Sequence, residues 1–71
     1  MRKEHGLSRS QITELTDEWI LNARDRNIVK RRLIDGITYE ELAEEFHLSA
    51  QRVKEIVGKA LTVILAHAYT N

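Results

Sequence analysis

The stretch SAQRVKEIVGKAL, residues 49–61, places polar side chains between apolar residues at helical spacing. Gln51 both donates and accepts hydrogen bonds, Lys54 only donates, and ionised Glu55 only accepts. Two interpretations fit this pattern. The polar residues form either the solvated side of an amphipathic core helix or the side of a helix that binds another molecule.

Residues that could do catalytic or metal chemistry are not grouped along the chain. His5, His47 and His67 lie in separate segments, so we expect no metal site. Asp17 with Glu18, and the glutamates after residue 39, have no glycine-rich loop or histidine that would complete a catalytic group. We therefore expect no enzyme, no cofactor and no small-molecule substrate.

Composition narrows the class of protein further. A chain of 71 residues holds one small domain, and the absence of cysteine and proline excludes disulfides and favours a compact helical fold. No apolar run approaches the ~20 residues of a membrane helix, and no secretory stretch follows Met1. We expect a soluble, cytoplasmic protein with no membrane partner.

The charges balance but are segregated along the chain. Eleven Lys and Arg residues equal eleven Asp and Glu residues, so net charge gives no support for nucleic-acid binding. However, five bases accompany one acid between Arg24 and Arg32, and four glutamates lie between Glu40 and Glu45 without a base. Such segregation makes a charge dipole that could orient the molecule toward a polyanion, although either run alone also fits a solvated helix face.

The apolar pattern predicts that four helices position these residues. The first runs from about Ser8 or Ser10 to Leu21, and Thr16 could cap a second start that breaks it in two. Its apolar stripe contains Ile12, Leu15, Trp19 and Ile20.

Cap residues delimit the next two helices. The second, residues 22–34, begins with an asparagine and ends before Gly36, which enters the left-handed conformation at no steric cost. Thr38 and Glu41 form a capping box, which predicts a short third helix over residues 39–46.

A tight turn at residues 47–49 leads into a fourth helix that starts at Ser49 and continues to about Ala68, since Gly58 lies inside a helical pattern. Its predicted buried stripe contains Val53, Ile56, Val57, Ala60, Leu61, Ile64 and Ala68.

The short turn between helices of unequal length predicts a helix-turn-helix unit. Ala43 is the small residue that permits close approach, and the turn residue His47 requires a positive φ, which glycine or asparagine adopts more easily. The remaining apolar contacts would come from Leu42, Phe46, Leu48, Val53 and Ile56. We predict an all-α, four-helix domain at residues 8–71 after a flexible basic tail at residues 1–7.

The segment RDRNIVKRRLIDGITYEELAEEFHLSAQRVKEIVGKAL, residues 24–61, resembles the fourth, promoter-binding region of bacterial sigma-70 factors. The matching positions are Arg24, Ile28, Lys30, Arg32, the Asp35-Gly36-x-Thr38 turn, Glu41-Leu42-Ala43, Ser49, Arg52-Val53, Ile56 and Lys59-Ala60-Leu61. The resemblance covers a little over half of the chain. It implies a winged-helix-like domain without a wing, whose long C-terminal helix recognises DNA, here as a small stand-alone protein of phage or mobile-element type.

The resemblance implies that the fourth helix enters the major groove of double-stranded DNA while other elements contact phosphates. The residues that would contact bases are Ser49, Ala50, Gln51, Lys54 and Glu55. Those that would contact phosphates are Arg24, Arg32, Thr38, Arg52 and Lys59. Gln51 could bond an adenine edge, Lys54 guanine acceptors and Glu55 a cytosine amino group.

The base-contacting positions depart from the family pattern. Family members that bind the usual upstream promoter element tend to carry Arg, Glu, Arg and Gln where this chain has Ala50, Gln51, Lys54 and Glu55. Because all four differ, we expect a different target sequence, and loss of DNA binding is the alternative.

The segment after Leu61, TVILAHAYTN, carries apolar residues on more than one helical face. It could pack on the first helix through Trp19 and Ile20, or on a second copy, which would give a homodimer for a palindromic site. The expected dimer or partner surface contains Val63, Ile64, Leu65 and Ala68.

Two hypotheses about function follow. The first is a sequence-specific DNA-binding transcriptional regulator. The second is a protein-interaction module that imitates sigma region 4 and binds RNA polymerase or another host protein without recognising DNA.

Overall fold

The computed structural model describes residues 6–68, so the expectations for residues 1–5 and 69–71, including His5 and most of the basic tail, lie outside it. Four helices follow one another: α1 (Arg9–Trp19), α2 (Ala23–Leu33), α3 (Tyr39–Phe46) and α4 (Ala50–Ala68). No strand occurs between residues 6 and 68. The prediction of an all-α, four-helix domain is confirmed.

Local capping explains where α1 begins. The Ser8 hydroxyl accepts from the Gln11 amide at 3.1 Å, and the Gln11 side chain accepts from the Ser8 amide at 2.9 Å, which completes a capping box. The helix then continues without interruption to Trp19. The alternative in which Thr16 caps a second helix is wrong, because Thr16 lies within α1 and its side chain is fully buried.

The link between α1 and α2 is held by side chains of α2 and its cap. Asn22 accepts from the Asp25 amide at 3.0 Å and caps α2. The guanidinium of Arg26 donates to the carbonyls of Ile20 and Leu21, both at 3.0 Å. These bonds satisfy backbone groups that the helix ends leave unpaired and fix the approach of α2.

The long helix α4 is the centre of the domain, and α1, α2 and α3 all pack against it. The buried apolar residues come from every helix and from the segment before α1. They are Leu7, Ile12, Ile28, Val29, Leu42, Ala43, Val53, Ile56, Val57, Ala60 and Ile64. Because Leu7 is 1% exposed, the prediction that it belongs to a flexible tail is wrong.

Trp19 departs from the predicted apolar stripe of α1. It is 42% exposed, and its ring stacks on the ring of His67 with centroids 3.6 Å apart and planes 2° apart. This stack joins the end of α1 to the last turn of α4. The continuation of α4 beyond Leu61 therefore packs on α1, which is the first of the two arrangements that the sequence predicted. Within residues 6–68, the helices are too short or too polar to span a bilayer.

Candidate nucleic-acid interface

The turn between α3 and α4 determines how α4 is presented. His47 ends α3 in the left-handed conformation, with φ 58° and ψ 43°, as the helix-turn-helix prediction required. The His47 amide donates to the Ala43 carbonyl, and the Leu48 amide donates to the same oxygen at 2.8 Å. Two donors on one carbonyl close the end of α3 and limit the directions in which the chain can leave it.

Ser49 starts α4 by accepting from the Arg52 amide at 3.0 Å, the N-cap contact that the sequence predicts. The predicted base-contacting residues lie on the first two turns, and we call them the recognition surface: Ser49, Ala50, Gln51, Lys54 and Glu55. Four of them are exposed and Ala50 is half-buried. The fold therefore brings all five to the start of one helix and leaves their polar groups accessible.

Few of these polar groups are occupied by contacts within the described residues. The side chain of Gln51 has no hydrogen-bond partner between residues 6 and 68. Glu55 accepts from the Arg52 guanidinium at 3.4 Å in an ion pair whose side chains are about half exposed. Lys54 places its ammonium 5.8 Å from the ring centroid of Tyr39. An exposed ion pair contributes little to stability, so Arg52 and Glu55 can exchange each other for other partners.

The predicted phosphate-contacting residues are more constrained. Arg24 pairs with Asp25 at 3.1 Å at the start of α2. Arg32 donates to the Ile37 carbonyl at 3.2 Å and lies over the Tyr39 ring, with its guanidinium carbon 4.3 Å from the ring centroid. To contact a phosphate, Arg24 would have to share or leave Asp25, and Arg32 would have to reach it from its position over the Tyr39 ring.

Thr38 is engaged by its own capping box. Its hydroxyl lies 2.9 Å from a carboxylate oxygen of Glu41 and accepts from the Glu41 amide at 3.1 Å. The carboxylate thus occupies the N-terminus of α3, where the resemblance implied an anion. A phosphate there would have to displace Glu41.

The two charged runs of the sequence meet in the fold. Lys30 pairs with Asp17 of α1 at 2.6 Å, and Arg31 pairs with Glu45 of α3 at 3.0 Å. The charge segregation seen along the sequence is therefore partly cancelled in space, because packing places acidic residues of α1 and α3 beside α2.

A groove runs along one side of α4, near the link between α1 and α2. Arg52, Lys59 and Asp25 carry its charges. Its apolar lining consists of Ile20, Ile56, Ala60 and Val63. Leu21, which follows Ile20 in the chain, is 86% exposed. The exposure of Leu21 is not predictable from the sequence, because an apolar residue at a predicted helix end gives no signal of exposure.

The predicted dimer surface is not a single surface. Ile64 is fully buried, so its assignment to a partner surface is wrong. Val63 and Leu65 are half-buried, and residues two apart on a helix point about 200° apart, so the two lie on different sides of α4. Ala68 is half-buried as well. The central apolar stripe of α4 is buried in the core, so only the residues on either side of it could contact a partner.

The family model described as "Sigma-70, region 4" matches residues 20–64. This match spans α2, α3, the turn and most of α4, and it covers more than half of the chain. The chain therefore belongs to the sigma-70 region 4 family, a family of non-enzymatic regulatory domains that bind DNA and RNA polymerase. No curated protein and no solved structure matches the chain.

Proposed function

We propose that this chain is a sequence-specific DNA-binding transcriptional regulator whose α4 enters the major groove with its N-terminus first. The observation that carries the proposal is the exposure of Gln51, Lys54 and Glu55 on the first turns of α4. The core requires none of these side chains, and the closed turn at His47 holds their helix in place. Such a function would place the protein in the cytoplasm with the DNA.

The Arg52–Glu55 pair suggests how the recognition surface adapts to DNA. A phosphate attracts Arg52 at least as strongly as an exposed carboxylate does, because Arg pairs with phosphate in two-point geometry. Transfer of Arg52 to a phosphate would free Glu55 to accept from a cytosine amino group. Gln51 would bond an adenine edge, and Lys54 would donate to guanine. The small side chains of Ser49 and Ala50, at the N-terminus of α4, would contact the nearest base edges.

The phosphate contacts in this proposal come from Arg24, Arg32, Arg52 and Lys59, with Thr38 at the start of α3. The four cations set the expected salt dependence. Each phosphate contact contributes a slope of about −0.9 in the plot of log K against log salt concentration, so four contacts give roughly −3.6. Thr38 carries no charge and adds nothing to this slope.

Selection from a pool of random duplexes tests the proposal, followed by affinity measurements on the enriched duplex at several salt concentrations. We expect an enriched sequence different from the usual upstream promoter element, and a slope near the value given above. The proposal fails if nothing is enriched and if retention on DNA at low salt is no greater than that of a neutral control protein.

A second candidate function is direct binding of RNA polymerase. Leu21 and Trp19 are the large apolar side chains that the described fold leaves exposed, and Leu21 follows a residue that lines the apolar groove. Purified RNA polymerase, treated with nuclease, should retain the parent chain but not Leu21→Asp. Ser10→Asp introduces the same charge on α1 away from this groove and should bind like the parent. Equal binding by both variants would contradict a role for this surface.

A homodimer remains part of the proposal. With Ile64 in the core, Val63, Leu65 and Ala68 are the residues of the predicted dimer surface that could still contact a second copy. Two copies would present two recognition surfaces to a palindromic site, and the second contact would form at a high effective concentration, so the dimer would bind much more tightly than one copy.

A further inference from the structure

Tyr39 lies where three helices meet beside the recognition surface. It is the first residue of α3, directly after the cap residue Thr38. Its side chain is half-buried and packs against the core, so the position of its ring is set by the fold. One part of the ring remains accessible to side chains of α2 and α4.

Two cations from different helices share this ring. The guanidinium carbon of Arg32, on α2, lies 4.3 Å from the ring centroid, and the ammonium of Lys54, on α4, lies 5.8 Å from it. Both distances fall within the ~6 Å over which a cation is attracted to the face of an aromatic ring. Arg32 has a second anchor, the Ile37 carbonyl at 3.2 Å.

Lys54 depends on the ring more than Arg32 does. Within the described residues the side chain of Lys54 forms no hydrogen bond and no ion pair, and it is exposed. A free lysine side chain samples many rotamers, and ordering it on binding costs affinity. The Tyr39 ring is therefore the feature of the fold that limits the directions in which Lys54 points.

We infer that Tyr39 is a positioning residue for DNA recognition, which orients Lys54 toward a base edge and Arg32 toward the backbone before DNA arrives. The inference rests on the proposed DNA-binding function. It adds a specificity determinant that does not itself touch a base, because the discrimination made by Lys54 depends on where its ammonium is held.

The test compares Tyr39→Leu with Tyr39→Phe on the duplex selected by the parent chain. Leucine keeps an apolar side chain and removes the ring. Phenylalanine keeps the ring and removes a hydroxyl that makes no hydrogen bond within residues 6–68. We expect Tyr39→Phe to bind within about twofold of the parent. We expect Tyr39→Leu to bind about five- to tenfold more weakly, because binding must then order two long side chains that the ring no longer holds. Tyr39→Leu should also lose preference at the base pair where Lys54→Ala loses it.

A double-mutant cycle separates positioning from a structural role. If Tyr39 acts through Lys54, Lys54→Ala should cost much less affinity in the Tyr39→Leu background than in the parent. Additive losses, or an equal loss on all duplexes, would overturn the inference, as would unchanged affinity and preference in Tyr39→Leu. If the parent chain itself binds no duplex, the proposed function fails first and the inference fails with it.

A measurement on the parent chain covers the case in which Tyr39→Leu does not fold. Nuclear Overhauser contacts from the Tyr39 ring protons to the terminal methylenes of Lys54 and Arg32 are expected in the free protein. Their absence would overturn the inference whatever the variants do.

Discussion

Individual side chains of the proposed interface contact either bases or phosphates. The two roles can be distinguished by whether a substitution changes the preference for one DNA sequence over another. Lys54→Ala should weaken binding to the selected duplex by roughly 1–3 kcal/mol and relax preference at one base pair, because a base contact is lost. Arg24→Ala should instead weaken binding to all duplexes alike and lower the salt slope by about one, because a phosphate contact is lost. Affinities of both variants on selected and scrambled duplexes check this prediction.

Arg9→Ala provides a matched control for the loss of one positive charge, since Arg9 lies outside the proposed contacts. It should change affinity less than Arg24→Ala. If Lys54→Ala lowers affinity for all duplexes equally and leaves the base preference unchanged, Lys54 does not contact a base.

A buried hydroxyl gives a prediction about stability. Thr16 is fully buried in α1, and its hydroxyl has no hydrogen-bond partner among residues 6–68. A buried polar group without a partner keeps the cost of its desolvation, so Thr16→Val should raise the free energy of unfolding by about 1 kcal/mol. Thr13→Val, at a half-buried position of the same helix, should change it by less than about 0.5 kcal/mol. Denaturant unfolding followed by circular dichroism measures both, and a loss of stability in Thr16→Val would indicate an unseen partner for the hydroxyl.

Among the helices, α4 contains an interior glycine that lowers its stability. Gly58 lies inside the helix, and apart from the neighbouring backbone of the helix itself, a Cβ added there meets no atom of residues 6–68 within 4 Å. Glycine in a helix interior is less favourable than alanine by roughly 0.5–1 kcal/mol, so Gly58→Ala should stabilise the domain by about that amount. Thermal unfolding would show a higher midpoint.

Gly36 is the matched control for the same substitution. A Cβ there also meets nothing within 4 Å, but φ is +71°. Because alanine is disfavoured in the left-handed region, Gly36→Ala should destabilise the domain by about 1 kcal/mol. If Gly58→Ala and Gly36→Ala change stability in the same direction, the difference in φ between the two glycines does not determine the effect of alanine.

The helices and their caps could be predicted from the sequence because capping is a local interaction. Asn22, Thr38 and Ser49 each accept from an amide three residues later, and α3 spans the predicted residues. The left-handed conformation at His47 was also predicted, from the geometry that the turn requires.

Contacts between helices could not be predicted in the same way. Burial of Leu7 and Thr16 depends on how α1 and the segment before it pack against the other helices, whereas the buried position of Ile64 agrees with the predicted stripe of α4. Periodicity identifies an apolar stripe but not its edges. For the same reason, the sequence did not reveal that Arg32 and Lys54 share the Tyr39 ring, since the three residues lie on three helices.

The number of copies in solution follows from how the flanks of α4 are covered. If a homodimer forms through the flanks of α4, light scattering should give twice the monomer mass at micromolar concentration, and the selected DNA site should be palindromic. Val63→Glu should reduce the mass to that of a monomer, because a charge there would be buried at the interface. A monomer mass for the parent, with a site lacking symmetry, would contradict the dimer.

The central claim is that the first turns of α4 bind the bases of duplex DNA. Titration of ¹⁵N-labelled protein with the selected duplex tests it most directly, because every amide reports on its own surroundings. We expect the largest shifts at residues 49–55, with smaller shifts at the phosphate-contacting positions Arg24, Arg32 and Lys59. Largest shifts at Leu21 and at the groove residues Ile20 and Val63, with residues 49–55 unchanged, would contradict it.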